Sequence, residues 1–202
     1  PASIVTADFT GDEDFDIAVT HVNTSPNDNT GGLVTVLAGD ASGGLTLRST
    51  SLPLQAGSID SAVGDFNADD RPDLTVVNFN SNSISVLLGQ ADGSLRVQTT
   101  VLGTTQGAVD IAVADIDNDG DADILASKLQ QREVAIFRNI GVDPISGEVR
   151  FEPQESIGLG QFSFADRMPF ALANLDGDTS GPGGIGTIDI VAVPQNTDTL
   201  YV

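Results

Sequence analysis

Apolar residues in this chain come in short runs, at 3–7, 17–20, 33–38 and 45–51, separated by Gly, Asn, Asp and Ser. The same order returns at 60–64, 74–78, 84–89 and 95–102, and again at 110–114, 124–127, 134–139 and 149–157. A fourth set starts at 169–173 and 190–193 and continues at 199–202. Val, Ile, Leu and Thr dominate these runs, which is how strands between tight turns read. Helical i, i+3, i+4 spacing does not persist in any window. Gly-bearing turns at 40–44, 91–94 and 143–147 join the third run of a set to its fourth. Four strands in a unit of about 50 residues predict a propeller blade. A sandwich would not repeat one acidic loop at one fixed place, and a β-helix has a shorter period.

That acidic loop lies between the first and second runs. It reads Asp8-Phe9-Thr10-Gly11-Asp12-Glu13-Asp14-Phe15-Asp16, then Asp65-Phe66-Asn67-Ala68-Asp69-Asp70-Arg71-Pro72-Asp73, then Asp115-Ile116-Asp117-Asn118-Asp119-Gly120-Asp121-Ala122-Asp123. A degenerate fourth copy starts at Asn174-Leu175-Asp176-Gly177-Asp178 and resumes at Asp189 after a Gly-rich insertion. The fold expected is all-β, a β-propeller of four-stranded blades at about 1–54, 55–103, 104–158 and 159–202, the last incomplete. About three and a half blades do not close a ring. The chain is therefore expected to be a segment of a larger propeller, or to form a homo-oligomer or filament through its incomplete last blade.

Each full loop offers side-chain oxygens at positions 1, 3, 5 and 9 and a backbone carbonyl at position 7. Such a set suits calcium, a hard cation that takes 6–8 oxygens at about 2.3–2.6 Å. The expected ligands are Asp8, Thr10, Asp12 and Asp16 with the Asp14 carbonyl in loop one. In loop two they are Asp65, Asn67, Asp69 and Asp73 with the Arg71 carbonyl. In loop three they are Asp115, Asp117, Asp119 and Asp123 with the Asp121 carbonyl. Loop four offers Asn174, Asp176, Asp178 and Asp189 on a changed backbone, so the expectation is three calcium sites and a weaker fourth. Acidic turn residues alone would explain one loop, but not three with one pattern. Carboxylates this close repel unless a cation lies between them. Magnesium holds its waters too tightly. An EF-hand fails because position 12 is Val19, Val76 or Ala126 where a bidentate Glu is needed, and strands follow. Position 6 requires a sharp turn, which Gly120 supplies without strain and Glu13 does not. That ranks loop three first, loop two second and loop one third.

The repeat resembles the FG-GAP and VCBS family, most clearly at 65–78 and 84–95. The resemblance implies a calcium-binding β-propeller with the ion in the loop between the first two strands of a blade. Its members include integrin α-subunits, fungal lectins, bacterial surface proteins and parts of polysaccharide lyases.

Charge and composition narrow the function. With 29 Asp plus Glu against 8 Lys plus Arg, the net charge is −21. This leaves no basic footprint for nucleic acid, and no apolar run long enough for membrane insertion occurs. Zero Cys and the single His21 remove thiolate and two-imidazole metal sites and leave no Ser-His-Asp set to argue. The reading is a non-enzymatic, extracellular or cell-surface scaffold, bacterial in type, for protein interaction, adhesion or surface assembly. The alternative is a glycan-binding propeller or the non-catalytic part of a lyase. Against a lectin stands the lack of aromatic platforms, with no Trp and one Tyr, Tyr201. The protein or glycan partner is expected on the face opposite the calcium loops, foremost at the polar connection 21–32. That connection also holds a formal glycosylation acceptor, Asn23-Thr24-Ser25.

Overall fold

The computed structural model describes residues 1–22, 31–98, 102–103, 107–128, 131–158, 170–173 and 189–192, and all described elements are strands. The first sheet is antiparallel in chain order: β1 (Ser3–Ala7), β2 (Asp16–His21), β3 (Leu33–Gly39) and β4 (Leu45–Pro53). The second repeats it with β5 (Ser58–Gly64), β6 (Asp73–Asn78), β7 (Ser83–Gly89) and β8 (Leu95–Val97), and β9 (Leu102–Gly103) also pairs with β7. The third contains β10 (Ala108–Ala114), β11 (Asp123–Lys128) and β12 (Glu133–Phe137). A hairpin of β13 (Asn139–Val142) and β14 (Val149–Phe151) follows, and β15 (Glu155–Gly158) then returns to β12. In the fourth, β16 (Phe170–Ala173) pairs with β17 (Asp189–Ala192). The first strands of successive sheets, β1, β5, β10 and β16, neighbour one another in turn, so these are propeller-type blades.

Burial explains the order. Residues on β6 and β7 are buried on both faces. Leu74, Val76 and Leu87 face the first sheet, where they meet Ala18, Val34 and Val36. Val77, Ile84, Val86 and Leu88 face the third, where they meet Ile124, Ala126 and Phe137. Strand β2 alternates between buried and half-buried residues instead, since only one of its faces is covered. The aromatic at loop position 2 plugs each joint. Phe9 lies in the first core, and Phe66 lies in the second, edge-on to Phe151 with ring centroids 6.1 Å apart. Burying such a ring contributes about 1.5–3 kcal/mol. Asp60 on β5 ties three first strands together, accepting from Ser3 Oγ at 3.0 Å and from the Ile111 amide at 3.1 Å.

Three runs differ from the sequence reading. The stretch 149–157 is not one strand: β14 pairs with β13, and β15 pairs with β12. Pro153 has no amide to give a ladder, and the Glu152 amide turns to the Arg138 carbonyl at 2.8 Å. The stretch 95–102 breaks after β8, because Gln98 turns inward. Its buried side-chain amide exchanges two hydrogen bonds with the Val149 backbone, at 3.0 and 2.8 Å, stitching the second sheet to the β13–β14 hairpin. His21 does not open a polar loop. It ends β2, in register with Leu33. The segments 23–30 and 199–202, with Asn23, Thr24, Ser25 and Tyr201, lie outside the described residues.

Candidate metal centre

The three acidic loops connect the first and second strands of successive sheets, so they lie at one end of the blades. Their backbones agree closely. Position 6 is left-handed in each, at Glu13 (φ 70°), Asp70 (φ 63°) and Gly120 (φ 97°), as the turn requirement predicted. Position 4 is left-handed as well, at Gly11 (φ 73°), Ala68 (φ 55°) and Asn118 (φ 60°). The sequence reading missed this second bend. Its signal was present in two loops, since Gly and Asn are the residues that adopt the left-handed region at least cost.

Carboxylates hold this backbone by accepting its amides. At position 1, Asp8, Asp65 and Asp115 each accept from positions 5 and 6, at 2.9–3.2 Å. At position 5, Asp12, Asp69 and Asp119 each accept from position 7 at 2.9–3.1 Å. Position 9 is fully buried in every loop. One oxygen of Asp73 and of Asp123 accepts the position 2 amide, from Phe66 at 2.9 Å and from Ile116 at 2.8 Å. Asp16 takes the position 3 amide of Thr10 instead, at 2.8 Å. The other oxygen accepts an amide at the end of the third strand, from Gly39 or Gly89, or just beyond it, from Asn139. A side chain at Gly39 or Gly89 would collide with the position 8 carbonyl, which lies 2.2 or 2.5 Å from the Cβ position. Position 9 is therefore both a potential ligand and a clasp between loop and blade. The sequence reading assigned it only the first role.

Position 3 carries the test of fit for a cation. Thr10 Oγ1 and Asn67 Oδ1 are buried and have no hydrogen-bond partner. Orphaned buried oxygens are costly, and a hard cation inside the loop would satisfy them. In loop three the equivalent Asp117 comes together with Asp115 and Asp123, each giving an oxygen within 4.8 Å of the others. Among the described residues only these three form such an acidic group. Asp119, expected as a fourth ligand, is not part of it. The burial of Asp117 and the nearby Asp119 raise its carboxyl above the usual range. Burial raises Asp123 too, against the pull of the Ile116 and Asn139 amides. Asp121 is also raised, by desolvation and by Asp119. In loop two, burial pushes Asp73 up to about 6. Calcium would be held here by these oxygens and would supply charge neutralisation to a strained loop. Loop two already contains a cation of its own. The Arg71 guanidinium pairs with Asp69 and reaches the Gly89 carbonyl at 3.3 Å, and Asn67 Nδ2 donates to Asp69 at 2.9 Å. The sequence assigned Arg71 only through its carbonyl. In loop three Arg138 stands 3.5 Å from Asp117 and is shared with Glu155.

Other acidic residues belong to turns. Asp40, Asp92 and Asp143 accept from hydroxyls and amides two to four residues on, which lowers all three carboxyls. Between loops one and two lies a cleft of about 210 Å³ lined by Asp8, Phe9, Thr10, Asp70, Arg71 and Gln90, among others. Loop four cannot be placed: Asn174, Asp176 and Asp178 lie outside the described residues, and Asp189 is described only as backbone in β17.

Known proteins resemble the chain in part. No curated protein matches it in sequence. Among solved structures it is similar to a Bacteroides uniformis protein described as a 6-phosphogluconolactonase, at 17% identity and a TM-score of 0.54, over 99% of this chain and 55% of that one. It is also similar to the periplasmic gluconolactonase PpgL of Pseudomonas aeruginosa, at 17% identity and a TM-score of 0.38, over 92% and 61%. The chain thus spans little more than half of these relatives, and at such identity the first speaks to fold alone. Residues 65–126, which run from loop two through loop three, match the FG-GAP-like repeat. Over that stretch the chain is similar to the FG-GAP-like repeat, and its four-stranded blades set the repeated loops on a propeller-type scaffold.

Proposed function

We propose that the chain is a calcium-stabilised, extracellular propeller scaffold for protein interaction, adhesion or surface assembly, and not an enzyme. The observation that carries this reading is the pair of orphaned buried oxygens, Thr10 Oγ1 and Asn67 Oδ1, at the position where loop three gathers Asp115, Asp117 and Asp123. Millimolar calcium outside cells suits modules that bind it weakly. The partner surface is assigned to the end of the blades opposite the loops. There the connection 79–82 is pinned to residues 56–57 by amides of Phe79 and Ser81 and leaves the Phe79 ring part-exposed. The lactonase names belong to the similar structures and are not carried to this chain. Chelation tests the reading. Stripping calcium is expected to lower the melting temperature, and calcium but not magnesium to restore it, because one site at 100 times its Kd stabilises by about 2.7 kcal/mol. An unchanged melting curve overturns it.

A glycan-binding propeller is the second reading. It is favoured by the cleft between loops one and two, where Asp8, Thr10, Arg71 and Gln90 set polar groups beside Phe9. A glycan array read with and without calcium separates the two.

A further inference from the structure

One residue closes the joint between the second and third blades. The side-chain amide of Asn139 is buried and donates through Nδ2 to the Phe66 carbonyl of loop two at 2.8 Å and to the Ala122 carbonyl of loop three at 3.2 Å. At the joint between the first and second blades the same place in the repeat is Gly89. Both residues give their backbone amides to the position 9 carboxylate of their loop, Gly89 to Asp73 and Asn139 to Asp123. Gly89 has no side chain to offer, and a Cβ there would lie 2.5 Å from the Pro72 carbonyl oxygen. By the repeat, the two carbonyls that Asn139 joins correspond to those of Phe9 and Pro72. Both of these residues line the cleft of about 210 Å³ between loops one and two. No described residue donates a hydrogen bond to either carbonyl. This joint keeps the acceptors and lacks the donor.

We propose that this cleft is a docking pocket for a partner protein, filled by an arginine side chain of that partner, which donates to the Phe9 and Pro72 carbonyls as Asn139 does to theirs. Charge selects a cation over a neutral amide. Asp70 lines the cleft, is exposed, and pairs with no cation among the described residues. The cation of the lining, Arg71, is already turned to Asp69 and the Gly89 carbonyl. A net charge of −21 draws a basic partner surface. Size selects a single side chain, because the cleft is smaller than the roughly 300–1,000 Å³ of sites that take drug-sized molecules. Shape selects arginine over lysine. Its planar fork donates to two carbonyls and a carboxylate at once, and arginine is a frequent anchor in interface pockets. A sugar ring would find no aromatic face to stack on, since Phe9 is 4% exposed and belongs to the first core. The pocket is separate from the surface at 79–82. It also stands apart from calcium binding, because neither carbonyl nor Asp70 is among the expected metal ligands.

Amide NMR of the full chain in calcium buffer tests this, with N-acetylarginine amide as the probe. Saturable shifts are expected at Gly11, Gln90 and Ala91, which line the cleft. N-acetylcitrulline amide, similar in shape but uncharged, is expected to bind on the order of 10-fold more weakly. Asp70→Asn is expected to weaken the arginine probe about 3-fold. Asparagine tolerates the left-handed φ of 63° at that position, so this variant tests charge and not backbone strain. Ala91→Phe, at an exposed residue of the lining, is expected to abolish binding by filling the cleft. Asp143→Asn, in the β13–β14 turn, is expected to change nothing. Shifts that never saturate, or that spread evenly over all the acidic loops, overturn the proposal. Equal binding of the two probes overturns it as well, and so does binding that survives Ala91→Phe. N-acetylglucosamine displacing the arginine probe from the same amides gives the cleft to the glycan reading and overturns it too.

Discussion

Loop two and loop three bend at the same two positions, Ala68 and Asp70 in one, Asn118 and Gly120 in the other, and both bury their last carboxylate, Asp73 or Asp123. They part at positions 3 and 7. Loop three has Asp117 and Asp121 there, and three of its carboxylates crowd together. Loop two has Asn67 and Arg71, and its position 5 carboxylate is taken by the guanidinium. The loop backbone is thus set by amides meeting the carboxylates of positions 1, 5 and 9, while positions 3 and 7 decide how much negative charge is left for an ion.

The largest effect should come from the clasp the two loops share. Asp73→Ala and Asp123→Ala each strand two amides, Phe66 with Gly89 and Ile116 with Asn139. Each buried amide left unpaired costs about 1–3 kcal/mol, so each variant is expected to lose about 2–6 kcal/mol in urea unfolding, even with metal removed. If the loss appears only when calcium is present, position 9 is a ligand and not a clasp.

That clasp marks where the sequence stopped being legible. The strand runs, the turns and the left-handed position 6 could be read because each is a local property: periodicity, composition and the steric demand of one residue. The second role of Asp16, Asp73 and Asp123 could not, since its amides come from Gly39, Gly89 and Asn139, 16 or more residues away. The break after β8 was hidden for the same reason, because Gln98 leaves its strand for Val149, 51 residues on. The role of the Arg71 side chain was hidden because spacing reports which backbone carbonyl faces a loop, not where a long side chain folds back.

Removing the internal cation should bring the loops closer together. Arg71→Ala frees Asp69, and calcium binding at loop two is expected to tighten about 5- to 10-fold by calorimetric titration, with loop three unchanged. Removing a neighbouring positive charge favours a bound cation by an amount of that order near a protein surface. No change would mean the guanidinium swings aside without cost.

Acid should separate the metal-free chain from the calcium-loaded one. The Asp73 carboxyl lies at about 6 in the folded chain against an ordinary 3.8. Between those values the folded state binds more protons than the unfolded one, so stability falls as pH rises through about 4 to 6. Asp117, Asp121 and Asp123 are raised as well and act with the same sign. Asp40, Asp92 and Asp143 are lowered, and their contribution is lost only as pH falls below the ordinary carboxylate range. Resin-stripped protein is therefore expected to melt higher at pH 5 than at pH 7. With saturating calcium the order should reverse, because protons compete for the ligands. A metal-free melting temperature that rises from pH 5 to pH 7 would contradict the burial argument.

The smallest effect concerns position 6 alone. Glu13 sits at φ 70°, where a side chain costs about 1–2 kcal/mol, and loop three avoids this with Gly120 at φ 97°. Glycine gives back about 0.5–1 kcal/mol through the freedom of the unfolded chain. Glu13→Gly is therefore expected to stabilise by about 0.5 kcal/mol. Gly120→Ala should lose about 1 kcal/mol. A Cβ there would meet nothing within 4 Å, so its cost reports backbone strain and not collision. Paired denaturant titrations of the two variants give both signs. If Glu13→Gly destabilises, the left-handed bend in loop one is not what distinguishes it from loop three, and the difference has to be sought in Thr10 and the shifted Asp16 clasp.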